Sequence, residues 1–210
     1  MLDRYMIPVF KPPLRGLAKA LDKLNINADQ VSVCGFIIGM VSVAMVATGH
    51  FYLALLCLLL NRLADGIDGE LARLQNATDA GGFLDITLDF IFYGMFPVGF
   101  ALFSPADNAL MAAVLVASFV GTGASFLAFS SMAQRYNIEH PDFDYKGFYY
   151  LDGLAEGTET ILCFVLMCLL PGYFTVIALV FALLCILTTT NRVVFGYSCL
   201  LYTSPSPRDS

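Results

Sequence analysis

Between residues 61 and 90 the chain crowds carboxylates into an otherwise apolar setting. Asp65 and Asp68 stand three residues apart, and Asp85 and Asp89 stand four apart, so each pair shares one face of a helix. If the two helices that carry them pack antiparallel, all four carboxylates converge. Ionised side chains in or near a bilayer are costly and normally face a cavity, a partner or a metal. Four like charges at low dielectric also repel unless something neutralises them. A divalent cation does so, and hard carboxylate ligands suit Mg²⁺ or Mn²⁺. Two ions about 4 Å apart can share this many carboxylates and clamp a phosphoryl centre. Gly66, Gly69, Gly81 and Gly82 allow close helix approach or let a ligand reach the backbone. Arg73 stands beside the acids as a phosphate partner. An EF-hand does not fit, because acidic ligands at alternate loop positions are missing.

The elements that must position these residues are membrane spans. Of 210 residues 58% are hydrophobic and only 13% charged, against about 25% charged in soluble domains. Six segments are apolar over the length that crosses a bilayer: about 29–48, 51–75, 79–102, 107–132, 153–170 and 174–198. The predicted fold is all-α, a polytopic bundle of six transmembrane helices. Its parts are an amphipathic interfacial segment (1–28), a six-helix catalytic domain (29–200) and a disordered, non-native tail (201–210) in which Ser-Pro-Ser-Pro ends helical patterning. With an inner N-terminus, all eleven Lys and Arg residues fall toward one side, which by the positive-inside rule is the cytosol. Both termini and the acidic site then face the cytosol. Leu14, Leu17, Leu21 and Leu24 recur on one helical face among basic residues, and with Pro12-Pro13 ahead of them the segment reads as a broken amphipathic element on the inner leaflet. Six scattered cysteines without a C-x-x-C pair read as small hydrophobes within helices. No nucleic-acid partner is expected; the net charge of −6 points the same way, but as a bulk figure it says less than where the charges sit.

The acidic stretch runs Asp65-x-x-Asp68-Gly69-x-x-Ala72-Arg73, then seven residues, then Gly81-x-x-x-Asp85-x-x-x-Asp89. In this it resembles the CDP-alcohol phosphotransferase family, whose signature it fills at every position. The likeness to that family, and most closely to its bacterial inner-membrane members, extends over the whole chain. Asn27-Ala-Asp29-Gln-Val-Ser32 is a looser match to a family segment before the first span. The resemblance implies that Asp65, Asp68 and Asp85 ligate Mg²⁺ or Mn²⁺. It makes Asp89 a metal ligand or neighbour and the general base, and assigns Gly69, Ala72 and Arg73 to the CDP moiety. A CDP-activated lipid would be the donor, an alcohol or phospho-alcohol the acceptor, CMP the product and a homodimer the assembly, in phospholipid synthesis at the bacterial inner membrane.

Selection of the acceptor falls to residues outside the motif. Arg62, Arg135, Lys146 and Arg192 are the cations available to a phosphorylated acceptor, with Arg135 and Lys146 in the loop that faces the carboxylates. Glu156 and Glu159, three apart in the fifth predicted span, are candidates for binding hydroxyls or a cationic head group. Two rival classes share some of these features. Intramembrane prenyltransferases also use Asp-rich motifs and Mg²⁺, and Asn61-x-x-x-Asp65 weakly resembles theirs, but with different Asp spacing and fewer spans here. Cation transporters place carboxylates near the bilayer midplane and often show internal repeats, and this chain shows no repeat.

Overall fold

A computed structural model describes the backbone of residues 3–135 and 157–203 and the side chains of 11–132 and 157–201. Among the described residues every regular element is helical. The order is α1 (Asp3–Lys23), α2 (Ala28–Ala47), α3 (Phe51–Gln75), α4 (Asp79–Phe103), α5 (Pro105–Arg135), α6 (Gly157–Leu169) and, after a 3₁₀ turn at Pro171–Tyr173, α7 (Phe174–Thr203). The all-α expectation holds. Among the described residues four segments are long and apolar enough to cross a membrane: Ala28–Ala47, Asp79–Phe103, Pro105–Met132 and Pro171–Leu201. Helix α3 has the length, but Arg62, Asp65, Asp68, Glu70 and Arg73 lower its apolarity. Helix α6 is described over 13 residues, short of a span on its own.

Two further expectations change. The N-terminal segment is one helix, running unbroken through Pro12 and Pro13. Both prolines are exposed, so water can satisfy the carbonyls that lose an amide partner. Docking onto α3 begins immediately afterwards, where Leu14, Ala18 and Leu21 meet Ile67 and Leu71. At the other end, residues 201–203 continue α7, while 204–210 lie outside the described residues.

The core is aromatic and sits between α4 and its neighbours. Phe92, Phe96 and Phe100 recur at four-residue steps along α4 and are fully buried, which places them in one column. Phe164 of α6 stacks on Phe96 with centroids 4.3 Å apart, and Phe174 of α7 stacks on Phe100 at 4.6 Å. Most of the remaining apolar surface faces outward, as Leu56, Ile91, Leu110 and Val180 illustrate. That is the arrangement expected where the solvent is lipid.

Helix α2 packs against both α3 and α4, which barely touch each other. The four acids therefore do not meet across a directly packed antiparallel pair; they meet in a fork that α2 fills. Small residues make room for it. A Cβ on Gly99 would sit 2.9 Å from the Val43 carbonyl oxygen and 3.2 Å from the Val46 side chain. Backbone cannot move aside as a side-chain tip can, so Gly99→Ala should push α2 and α4 apart. The expected loss is roughly 1–3 kcal/mol, read as a lower unfolding midpoint of the detergent-solubilised protein.

Candidate active site

Three chain ends are tied together beneath the fork. Helix α3 stops where Asn76 takes a left-handed conformation (φ 65°), a common helix-terminating geometry. The connection to α4 is short, and Thr78 caps that helix by accepting a hydrogen bond from the Gly81 amide at 3.0 Å. Gln75 supplies the clamp. Its Oε1 accepts from the Ala28 amide at 3.2 Å, and its Nε2 donates to the Ile26 carbonyl and to Asp22 at 2.9 Å each. The end of α1, the start of α2 and the end of α3 are thus held by one side chain. Helix α1 is seated further in by Leu14, which lies against Gly66, between two residues of the acidic motif.

Above this base the carboxylates gather. Oxygen atoms of Asp65, Asp68 and Asp85 all lie within 4.8 Å of one another. Asp68 is 5% exposed, and the Ser32 hydroxyl of α2 faces it. Asp89, one turn beyond Asp85, is engaged differently. Its Oδ1 accepts from Arg62 Nη2 at 2.8 Å. Arg62 in turn donates to Tyr93 Oη at 3.0 Å and through Nε to Asn61 Oδ1 at 2.8 Å. Asn61 is itself fixed by donating to the Gly35 carbonyl at 2.9 Å. A small cavity of about 10 Å³ separates the four acids and is lined also by Ser32, Asn61 and Arg62. Converging oxygens with a void between them form a donor set that fits a hard divalent cation.

Beside the cluster opens a cleft of about 580 Å³, with Ser32, Asp68, Gly69, Ala72, Gly81 and Asp85 in its wall. This lies in the range of sites for ligands of nucleotide size. Arg73 donates to Glu70 at 2.6 Å and lies over Gly69, where a Cβ would be 3.6 Å from its guanidinium. Its side chain is 62% exposed while that of Glu70 is 6% exposed, so the arginine is held from below and open from above.

The comparison with protein families decides among the readings of such a site. The model of the CDP-alcohol phosphatidyltransferase family matches residues 25–190. This chain belongs to the CDP-alcohol phosphatidyltransferase family. It is accordingly a membrane transferase of phosphate-containing groups, in phospholipid synthesis. It is 50% identical over 200 residues to the inner membrane protein YnjF of Escherichia coli, covering 95% of this chain and 97% of that protein. Over 88 residues, 39% of this chain and 44% of the relative, it is 35% identical to an archaetidylinositol phosphate synthase of Pyrococcus horikoshii. The fold is that of the phosphatidylinositol phosphate synthase of Mycobacterium tuberculosis. The structure of that enzyme with CDP-DAG bound superposes with a TM-score of 0.65 at 18% identity, covering 88% of this chain and 93% of that one. Its structure in complex with manganese and citrate gives 0.64 at 19% identity, covering 88% of each.

In this member of the family the structure brings together Asp65, Asp68 and Asp85, sets Asp89 beside them on Arg62, and puts Gly69 and Ala72 in the cleft wall. Of the acceptor candidates, the side chain of Arg135 and all of Lys146 and Glu156 lie outside the described residues. Glu159 is half-buried in the first turn of α6 and lines neither cavity at the acids. Arg192 likewise lines neither cavity; it donates to the Thr122 carbonyl at 3.3 Å and lies over the Phe126 ring. Sequence reasoning missed Gln75 and the role of Arg62. The first left no signal, since its three partners come from other segments. The second left one, the i, i+3 spacing of Arg62 and Asp65.

Proposed function

We propose that this enzyme transfers the substituted phosphate group of a CDP-alcohol, CDP-diacylglycerol in particular, to the hydroxyl of an alcohol acceptor and releases CMP. The observation that carries this reading is three carboxylates converging within 4.8 Å, two of which, Asp68 and Asp85, also line a cleft large enough for the CDP group. Asp65, Asp68 and Asp85 hold Mg²⁺ or Mn²⁺, with Asp89 as a further ligand or close neighbour. Bound there, a divalent ion supplies neutralising charge to the diphosphate and to the departing CMP. Gly69 and Ala72 give the CDP group access to the backbone of α3, and Arg73 pairs with a phosphate oxygen, for which Glu70 keeps it in place. Asp89 takes the proton of the acceptor hydroxyl, whose oxygen attacks the β-phosphorus in line. Positioning and electrostatics do most of the work, as in other phosphoryl transfers. Arg135, Lys146, Glu156 and Glu159 are the residues proposed to select the acceptor.

The reading has a topology. Six spans cross the bacterial inner membrane, with α3 and the segment containing α6 completing the four that qualify by apolarity. Residues 1–28 lie on the inner leaflet, 29–200 form the catalytic domain, both termini are cytosolic and two copies form a homodimer. The acids then open toward the compartment that holds cytidine nucleotides.

The test is purified protein with labelled CDP-diacylglycerol and a panel of alcohols and phospho-alcohols, followed by CMP release. Turnover is expected with at least one acceptor, to stop with EDTA and to return with Mg²⁺ or Mn²⁺. No CMP from any pair would remove the reading. Metal flux in proteoliposomes without CMP would make the acids a transport site, and diphosphate release from a prenyl donor would make them a prenyltransferase site.

A further inference from the structure

The wall of the cleft includes Asp29, Asp68 and Asp85 but, among the described residues, no Lys or Arg. An anionic ligand that approaches it therefore meets carboxylates, and metal bound at Asp68 and Asp85 leaves the charge of Asp29 in place. Outside the cleft, α1 carries a row of cations. Lys11, Arg15, Lys19 and Lys23 recur at four-residue steps and are all exposed, so they form one stripe along about 18 Å of helix. None of the four pairs with an acid among the described residues, so their charge is uncompensated.

Three features of α1 set the direction in which the stripe points. Leu14, Ala18 and Leu21 hold one side of the helix against α3. Leu17, 47% exposed, lies opposite the middle of the stripe by the helical repeat, and an exposed leucine on a helix at a bilayer surface belongs on the lipid side. The stripe then faces water rather than the headgroups beneath. Asp22 falls within the arc of the stripe and accepts from Gln75 Nε2 at 2.9 Å, and Gln75 is part of the cleft wall. The helix ends at Lys23, shortly before Asn27, which lines the cleft as well. The row of positive charge thus runs along the water side of α1 and ends at the rim of the cleft.

We infer that the cationic side of α1 is an electrostatic guide that gathers soluble phosphate monoesters at the mouth of the cleft. The inference rests on the proposed function for what the cleft holds. Four unpaired cations raise the local concentration of a dianion and speed its encounter with the site, without gripping it once it is bound. CMP has this chemistry, and an acceptor that shares it, a phosphorylated alcohol, enters by the same route. An uncharged alcohol gains nothing from the stripe.

The test follows association of a fluorescent analogue, pyrrolocytidine monophosphate, with the full-length protein in phosphatidylcholine nanodiscs with Mg²⁺ present, by stopped flow. The association rate constant of the wild type should fall by roughly tenfold between about 0.02 M and about 0.5 M salt, as the screening length shrinks. Replacing Lys11, Arg15, Lys19 and Lys23 together by Gln should bring the low-salt rate near the high-salt value. The dissociation rate constant should stay within about twofold of the wild type. Lys11→Arg, Lys19→Arg and Lys23→Arg together should keep the wild-type rates. Pyrrolocytidine, which lacks the phosphate, should associate alike with every variant at both salt concentrations. Should the fourfold Gln variant fail to fold, Lys19→Gln and Lys23→Gln singly should each remove part of the salt dependence. An equal salt dependence in wild type and Gln variants would overturn the inference and leave the proposed function standing. So would a change in dissociation alone, which would make the stripe part of the fold. An effect seen only in nanodiscs with phosphatidylglycerol would also overturn it, by making the stripe a headgroup site. An analogue that binds to neither protein would remove the proposed function as well.

Discussion

Asp89→Asn is expected to slow CMP release by roughly 10²–10⁴-fold, the usual contribution of a general base, while binding of the cytidine nucleotide survives. The two halves of this expectation come from different parts of the site. Asparagine has the shape of aspartate and keeps an oxygen that can accept from Arg62, as Asp89 Oδ1 does at 2.8 Å, so the link between α3 and α4 persists. The cleft wall is made by Gly69, Ala72 and Asp68, none of which the substitution touches. What disappears is the basic oxygen needed to take a proton from the acceptor. Single-turnover CMP release and a nucleotide-binding isotherm on the same preparation separate these effects. Wild-type turnover in the variant would take the base assignment away from Asp89. Loss of both turnover and nucleotide binding would make it a structural residue.

Much of this site could be read from spacing. Asp65 and Asp68, or Asp85 and Asp89, must share a helical face whatever the fold, because the helical repeat requires it. The glycines beside them announced close approach, which Gly66 fulfils with Leu14. What spacing could not give is the third body in the arrangement. The antiparallel pair expected for the two acidic helices is instead a fork filled by α2, and no periodicity within α3 or α4 encodes which helix comes between them. The pairing of Asp89 with Arg62 shows the same limit. Residues 27 positions apart find each other only once the fork is set, and the reading of Arg62 as one of several cations for an acceptor followed from charge without geometry. The N-terminal helix failed for a local reason. Two prolines usually end a helix, but these are exposed and precede the docked stretch, so tertiary contact carries the helix past them. The six-span pattern relied on apolarity, which α3 lacks because the same segment must carry the motif.

Asp68→Asn is expected to end turnover and yet make the metal-free protein more stable. Asp68 is the most buried of the three converging acids, at 5% exposed, and its oxygens share a space of 4.8 Å with those of Asp65 and Asp85. Without a cation, three carboxylates in that space repel. An amide of the same volume removes one charge and leaves the packing against Ser32 unchanged, a gain on the order of 1–2 kcal/mol. The wild type should recover its disadvantage only when loaded, since Mn²⁺ at about 100 times its dissociation constant adds about 2.7 kcal/mol to a folded state that alone binds it. Thermal unfolding in detergent with and without Mn²⁺ therefore gives a crossed pattern. The variant unfolds at the higher temperature in EDTA and the wild type at the higher temperature in Mn²⁺, with CMP released by the wild type alone. A variant less stable than wild type in EDTA, and still stabilised by Mn²⁺, would mean that Asp68 serves the fold and that the ion is held elsewhere. The crossed pattern would mean that the stability surrendered to bring these acids together is what gives the ion, and with it the diphosphate, a place to bind.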